Sequence, residues 1–447
     1  MAILPNIPPD VLGEIFYLTL RGPISNEQES LFPWSLGRVC KSWRHVFVTY
    51  PALWAFITLD VSHVDDDAIL EKICNRLLLC LQRSGDHPLN LILSAREYDR
   101  DQRSPWIQVW EAFISCSHRW KNIVLRGGAP QFRDLTTNRE GGFPLLQSFM
   151  LCPQRQFDCN AFHDAPRLTQ FGLAYYDNNG IVSHARSFPL SQLTKFTLAT
   201  DGILSDTLKA LLESLHSVQE LYFMASQYAS VPATSPFPPR CLEHLRVLEV
   251  PFALREEILQ AIKAPSLVEL RLETGYDPYP AGDGGYEMMD FYRDVVEAFI
   301  ELSSCHLRKL VLTGFTDEQA APLIRSFPDL EELCVDDLHG CPWELLGSRY
   351  EDLKFTAFPN LRILTLSSVP RDADIVKALT NILKLRNGVY IGKPSIPLRP
   401  LEKIVIKRRH EWSPVPCFYE PEPIPHELED AISKWARFKV EVQFDQL

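Results

Sequence analysis

The chain has 447 residues, room for roughly two to four ordinary domains. Apolar residues make up 46% and charged residues 23%, the balance of a globular protein with a sizeable core rather than a disordered one. The net charge of −12 argues against a non-specific nucleic-acid binder, which needs a basic stripe to displace phosphate counterions. One short basic run, Lys407-Arg408-Arg409-His410, reads as a solvated strand end.

The 11 cysteines are scattered, mostly inside apolar runs such as those around Cys40, Cys80, Cys152 and Cys334, and form no C-x-x-C pair. In a chain of this length that pattern predicts reduced, core-packing thiols rather than a disulfide framework. The start, Met1-Ala2-Ile3-Leu4-Pro5, lacks the basic and apolar regions of a signal peptide. No apolar run reaches the ~18 residues of a membrane-spanning helix. The expected compartment is the cytoplasm, the nucleus or both, with no membrane partner.

Two helical patterns open the chain. The first begins at Ile7-Pro8-Pro9-Asp10, where proline suits a turn without an intrahelical N–H partner and an acidic side chain suits the positive helix end. Val11, Leu12, Ile15 and Phe16 share one face, and Gly22-Pro23 ends the pattern. The second begins after Ser35, a candidate N-cap, and carries Leu36, Val39, Cys40, Trp43, Val46 and Phe47 on one stripe. Arg38, Lys41 and Arg44 lie largely on the other side. Tyr50-Pro51 stops the helix, and Leu53-Trp54 follows as a short apolar anchor. About 50 residues bury too little surface to be comfortably stable alone. The apolar stripes therefore dock on the rest of the chain, on a partner, or on both, and periodicity does not choose among these.

The residues Ile7-Pro8-x-Asp10-x-Leu12-x-x-Ile15-Phe16, then Val39-Cys40-Lys41-x-Trp43-Arg44, then Pro51-x-Leu53-Trp54 resemble an F-box. The segment is similar to the F-box proteins abundant in mushroom-forming fungi. Those often continue with an "RSG…PL" segment and an "RW…L.L" strand, matched here by Arg83-Ser84-Gly85 with Pro88-Leu89 and by Arg119-Trp120 with Val124-Leu125. The resemblance covers about the first 125 residues. It departs from the family pattern at Ile7, where leucine is usual, and over residues 21–33, which are longer and more polar than usual. It implies a small helical motif docking on a Skp-family adaptor, and through it on a cullin-RING complex. Carried over by position, the adaptor contacts would be Ile7, Pro8, Leu12, Ile15, Phe16, Leu36, Val39, Cys40 and Trp54, with Trp43 knitting the motif from inside.

Beyond residue 85 a P-x-L-x-x-L-x-L motif recurs. Its middle apolar residue falls at Ile123, Phe149, Phe171, Phe196, Leu221, Leu248, Leu270, Leu310, Leu333, Leu364 and Ile404, with Leu91-Ile92-Leu93 as a possible first strand. Most of the spacings fit the 20–29-residue period of leucine-rich repeats. The L-x-L pair reads as a short strand with alternate residues inward. Leu204, Leu208, Leu211, Leu212 and Leu215, and later Ile375, Val376, Leu379, Ile382 and Leu383, read as returning helices. No single repeat buries its apolar side, so neighbours must stack into one continuous core. The expected fold is α/β: a short N-terminal helical F-box followed by a leucine-rich-repeat solenoid, a curved parallel sheet with outer helices.

Residues between the leucines would face outward on the sheet: Gln170, Gly172, Lys195, Thr197, Tyr222 and Met224, then Glu269, Arg271, Glu273, Lys309, Glu332 and Asp336. The late half is richer in charge, which suits a protein or peptide partner. The stretch Tyr276 to Gly285 is rich in Pro and Gly and reads as a loop carrying Tyr276 and Tyr279, followed by a helix over 288–302. Candidate substrate contacts are Tyr222, Glu269, Arg271, Glu273, Tyr276, Tyr279, Lys309, Glu332 and Asp336. The end reads as a proline-rich stretch over 412–425, a helix over 426–438 and a strand over 439–444 that closes the repeat stack.

The expected organisation is a helical F-box motif over 1–60, a linker and first repeat over 61–118, the repeat region over 119–410 and a cap over 411–447. No phosphate-binding loop, dinucleotide fingerprint, H-E-x-x-H or G-x-S-x-G is present. The acids Asp65-Asp66-Asp67 and Asp336-Asp337 read as helix-start or loop residues. The sequence therefore predicts no catalytic residue, cofactor or metal, and a substrate-recruiting subunit of a ubiquitin ligase acting on an unknown protein substrate. The alternatives are a repeat scaffold whose first helices merely cap it, and a hydrolase with an unrecognised site.

Overall fold

The computed structural model describes residues 7–19, 36–61, 64, 66–94, 105–126, 142–152, 162, 164–174, 189–199, 205–224, 237–251, 254–273, 285–315, 320, 323–324, 326–336, 360–367, 401–407 and 439–443. The chain forms two compact units, Met1–Val218 and Gln219–Leu447. It is an α/β protein in which N-terminal helices precede an all-parallel sheet, consistent with a leucine-rich-repeat-like solenoid.

In the first unit, helix α1 spans Pro9–Thr19, with Asp10 in its first turn. The second predicted helix is two: α2 over Leu36–Val39 and α3 over Lys41–Thr49. Cys40 breaks it. Its backbone is extended, and its Sγ accepts a hydrogen bond from the Trp43 amide at 3.4 Å, capping α3. Arg44 Nε reaches back to the Gly37 carbonyl at 2.7 Å and holds the corner. A 3₁₀ turn, Pro51–Trp54, leads into strand β1, Phe56–Asp60.

Five more strands follow: β2 Leu89–Ser94, β3 Trp120–Arg126, β4 Ser148–Cys152, β5 Gln170–Ala174 and β6 Lys195–Ala199. Each pairs in parallel with the next. Helix α4 (Asp67–Arg83), capped by Asp66 Oδ1 at 2.8 Å from the Ala68 amide, packs on α5 (Pro105–Ser115). Helix α6, Ser205–Ser214, matches the predicted leucine helix, burying Leu208, Leu211 and Leu212 with Leu215 just beyond its end.

The second unit begins with β7, Glu220–Met224. A short β8, Arg240–Cys241, pairs with β10, Ile262–Lys263. Between them lie β9, Val247–Pro251, and helix α7, Arg255–Ala261. Strand β11, Glu269–Glu273, precedes helix α8, Gly285–Ser303, which begins three residues before the predicted start and packs on α7. Strands β12 (Lys309–Thr313), β13 (Glu332–Asp336), β14 (Ile363–Ser367), β15 (Lys403–Lys407) and β16 (Lys439–Gln443) complete the unit. The parallel order here is β7-β9-β11-β12-β13-β14-β15-β16.

The predicted middle apolar residues form one ladder within each unit. Ile123, Phe149, Phe171 and Phe196 are direct neighbours, as are Leu221, Leu248, Leu270, Leu310, Leu333, Leu364 and Ile404. The repeat extends to the turn before each strand. Leu146, Leu168, Leu193, Leu245 and Leu267 each donate their amide to the carbonyl three residues earlier, at 3.1–3.2 Å. All five are fully buried, so the first leucine of each motif seals the turn beneath its strand. Aromatic rings fill the early repeats: Phe113 stacks on Trp120 at 4.3 Å, Trp120 on Phe143 at 5.4 Å and Phe143 on Phe162 at 5.1 Å.

One reading changes. Phe56–Asp60, expected at the tail of the helical motif, is a sheet strand paired with β2, because Ile57 and Leu59 alternate inward. The strand expected over 439–444 is present as Lys439–Gln443, a parallel rung beside β15. Leu204, the helix expected at 375–383, the loop with Tyr276 and Tyr279, and the stretch 412–438 lie outside the described residues.

Candidate functional site

The N-terminal helices are apolar on more than one side. On α1, Leu12 and Phe16 turn inward, and Phe16 is only 2% exposed. Its ring meets Trp43 edge-on at 4.9 Å, which ties α1 to α3. Gly13 sits against the Tyr50 ring, where an added Cβ would lie 2.5 Å from a ring carbon. The Tyr50 hydroxyl donates to Glu14 at 2.5 Å. That bond, with burial second, pushes the Tyr50 pKa up to about 12.

The outer face of α1 carries Val11, Ile15 and Leu18, respectively 46%, 41% and 53% exposed. Their spacing of four and three puts them on one stripe. Val39, at the corner between α2 and α3, is 56% exposed, and Cys40 beside it is also exposed. Of the positions carried over from the F-box resemblance, Pro8, Ile15, Val39 and Cys40 are open and Ile7 is half-buried. Leu12, Phe16, Leu36 and Trp54 are inside the chain. Sequence reasoning placed Val11 on the face of Leu12 and did not single out Leu18. The apolar run covers so much of the helix circumference that periodicity alone does not rank its sides.

Trp54 shows why this end of the motif is sealed. Its indole N–H donates to the Phe47 carbonyl at 2.8 Å, the two rings lie 4.8 Å apart, and the Arg83 guanidinium sits over the indole at 4.5 Å. Trp120 repeats the arrangement, donating to the Phe113 carbonyl at 3.2 Å, again seven residues back. The neighbouring Arg119 is buried. Its guanidinium donates to Ser84 Oγ at 2.6 Å and to the His87 carbonyl at 2.9 and 3.1 Å. Gly85 turns the chain there at φ +50°, in the left-handed region that favours glycine. The Arg83-Ser84-Gly85 and Arg119-Trp120 motifs, 35 residues apart, therefore build one joint beside Trp54.

The second unit brings most of the candidate substrate residues together on the outward rows of its sheet. Tyr222, Glu249 and Arg271 are neighbours in one row, and Glu269, Lys309 and Glu332 in the next. Arg271 Nε lies 2.7 Å from Glu269 and its guanidinium lies over the Tyr222 ring at 5.5 Å. Lys309 Nζ sits between Glu269 at 3.2 Å and Glu332 at 3.9 Å. Tyr222 donates to Glu220 at 3.0 Å, and burial together with that bond raises its pKa to about 12. Burial opposes the charge on Arg271, but Glu269, Tyr222 and Glu249 together more than offset it and the net shift is upward. Glu273 and Asp336 flank Thr313 in a third row. Tyr276 and Tyr279 lie outside the described residues. Glu220 and Glu249 join this surface and were missed, although each occupies the same between-leucine register as the residues that were named. The carboxylates outnumber the cations. Each pair is half-exposed, so each contributes only ~0–1 kcal/mol to stability.

A second charge ladder runs along the residues preceding the strands. Arg362 holds Glu402 with two bonds, at 2.7 and 2.6 Å, and lies 3.5 Å from Glu331, which Arg308 approaches at 3.9 Å. Among the described residues, no group of three His, Cys, Asp or Glu side chains is placed to hold a metal ion, and no helix is long and apolar enough to cross a membrane. Burial pushes the thiols of Cys74 and Cys80 up to about 11. No protein-family model matches the chain, and a search of curated proteins found no matching relative.

Proposed function

We propose that this chain is the substrate-recruiting F-box subunit of a Skp-cullin-F-box type ubiquitin ligase, with no active site of its own. The observation that carries the reading is the outward apolar stripe of Val11, Ile15 and Leu18 on a helix whose opposite face is already packed. A helix that only capped the sheet would need one apolar face. Three large aliphatic side chains on the other face fit a second polypeptide, and the residues around them resemble the F-box pattern. The charged outward rows of the second unit would then hold the substrate protein. Recruitment alone speeds ubiquitin transfer by raising the effective concentration of a substrate lysine near the thioester.

The capping alternative has its own support in Leu12, Phe16, Leu36 and Trp54, which are buried within the chain. Light scattering after size exclusion separates the two readings. The ligase reading expects a one-to-one complex when the chain is mixed with a purified Skp-family adaptor. Independent elution of the two proteins at micromolar concentration would refute it.

A further inference from the structure

We draw no further inference here: the strongest candidate, the uncharged outward row of the first unit's sheet formed by Thr58, Ile92, Val124 and Met150, is an apolar face and nothing in the structure shows what covers it.

Discussion

Leu12 and Ile15 lie one turn apart on α1, and their substitutions should separate stability from docking. Leu12 is 3% exposed and Ile15 41% exposed. Leu12→Ala removes a buried side chain and leaves a cavity, a change that costs ~2–5 kcal/mol. For a unit of this size each kcal/mol lowers the melting temperature by roughly 2–4 °C, so the loss is plain in calorimetry if α1 melts with its unit. Ile15→Asp leaves the interior untouched. Its cost is the lower helix propensity of aspartate and a small surface term, together about 1 kcal/mol or less. Docking should reverse the order. A carboxylate in place of an apolar anchor should weaken adaptor binding by at least ~2 kcal/mol, about 30-fold in Kd. Isothermal titration alongside scanning calorimetry reads both quantities. An Ile15→Asp chain that binds the adaptor as wild type does would refute the assignment of this stripe.

Ser84→Ala removes one acceptor of the buried Arg119 guanidinium and should destabilise the first unit by ~1–3 kcal/mol, read as a lower melting temperature. An unchanged melt would mean that the joint between α4 and β3 carries no weight. The raised pKa of Tyr50 makes an alkaline prediction. The folded chain holds this proton more tightly than the unfolded one, so its contribution is intact below pH ~10 and declines as pH rises from there toward 12. Urea midpoints at pH 8 and pH 11 should fall less in Tyr50→Phe than in wild type. Iodoacetamide should label Cys40 and Cys241 well before the buried, high-pKa Cys74 and Cys80, as peptide mass spectrometry would show.

The repeat ladder was legible because it is a one-dimensional signal. Leucines spaced by two within a strand and by about two dozen along the chain leave few other ways to bury them. Leu248 beside Leu270 beside Leu310 is the register that spacing predicts, and the outward position of Tyr222, Arg271 and Lys309 follows from it. The break at Cys40 was not legible, because an apolar step of three or four reads the same across a kink as along a helix. Strand β1 was hidden because it follows the motif whose pattern dominates that stretch. The joint of Arg83, Ser84, Arg119 and Trp54 depends on a contact between residues 35 apart, which no local pattern encodes. The split of α1 into an inner and an outer face was the most consequential miss, since Phe16 and Ile15 are adjacent and similarly apolar and only packing distinguishes them.

Hydrogen exchange of the full chain, with and without a saturating Skp-family adaptor, tests the central claim most directly. The account predicts new protection over Pro9–Thr19 and over 36–49, while the sheet amides from β1 to β6 exchange as before. Unchanged exchange in both helical segments under saturating adaptor, or protection confined to the sheet strands, would contradict it.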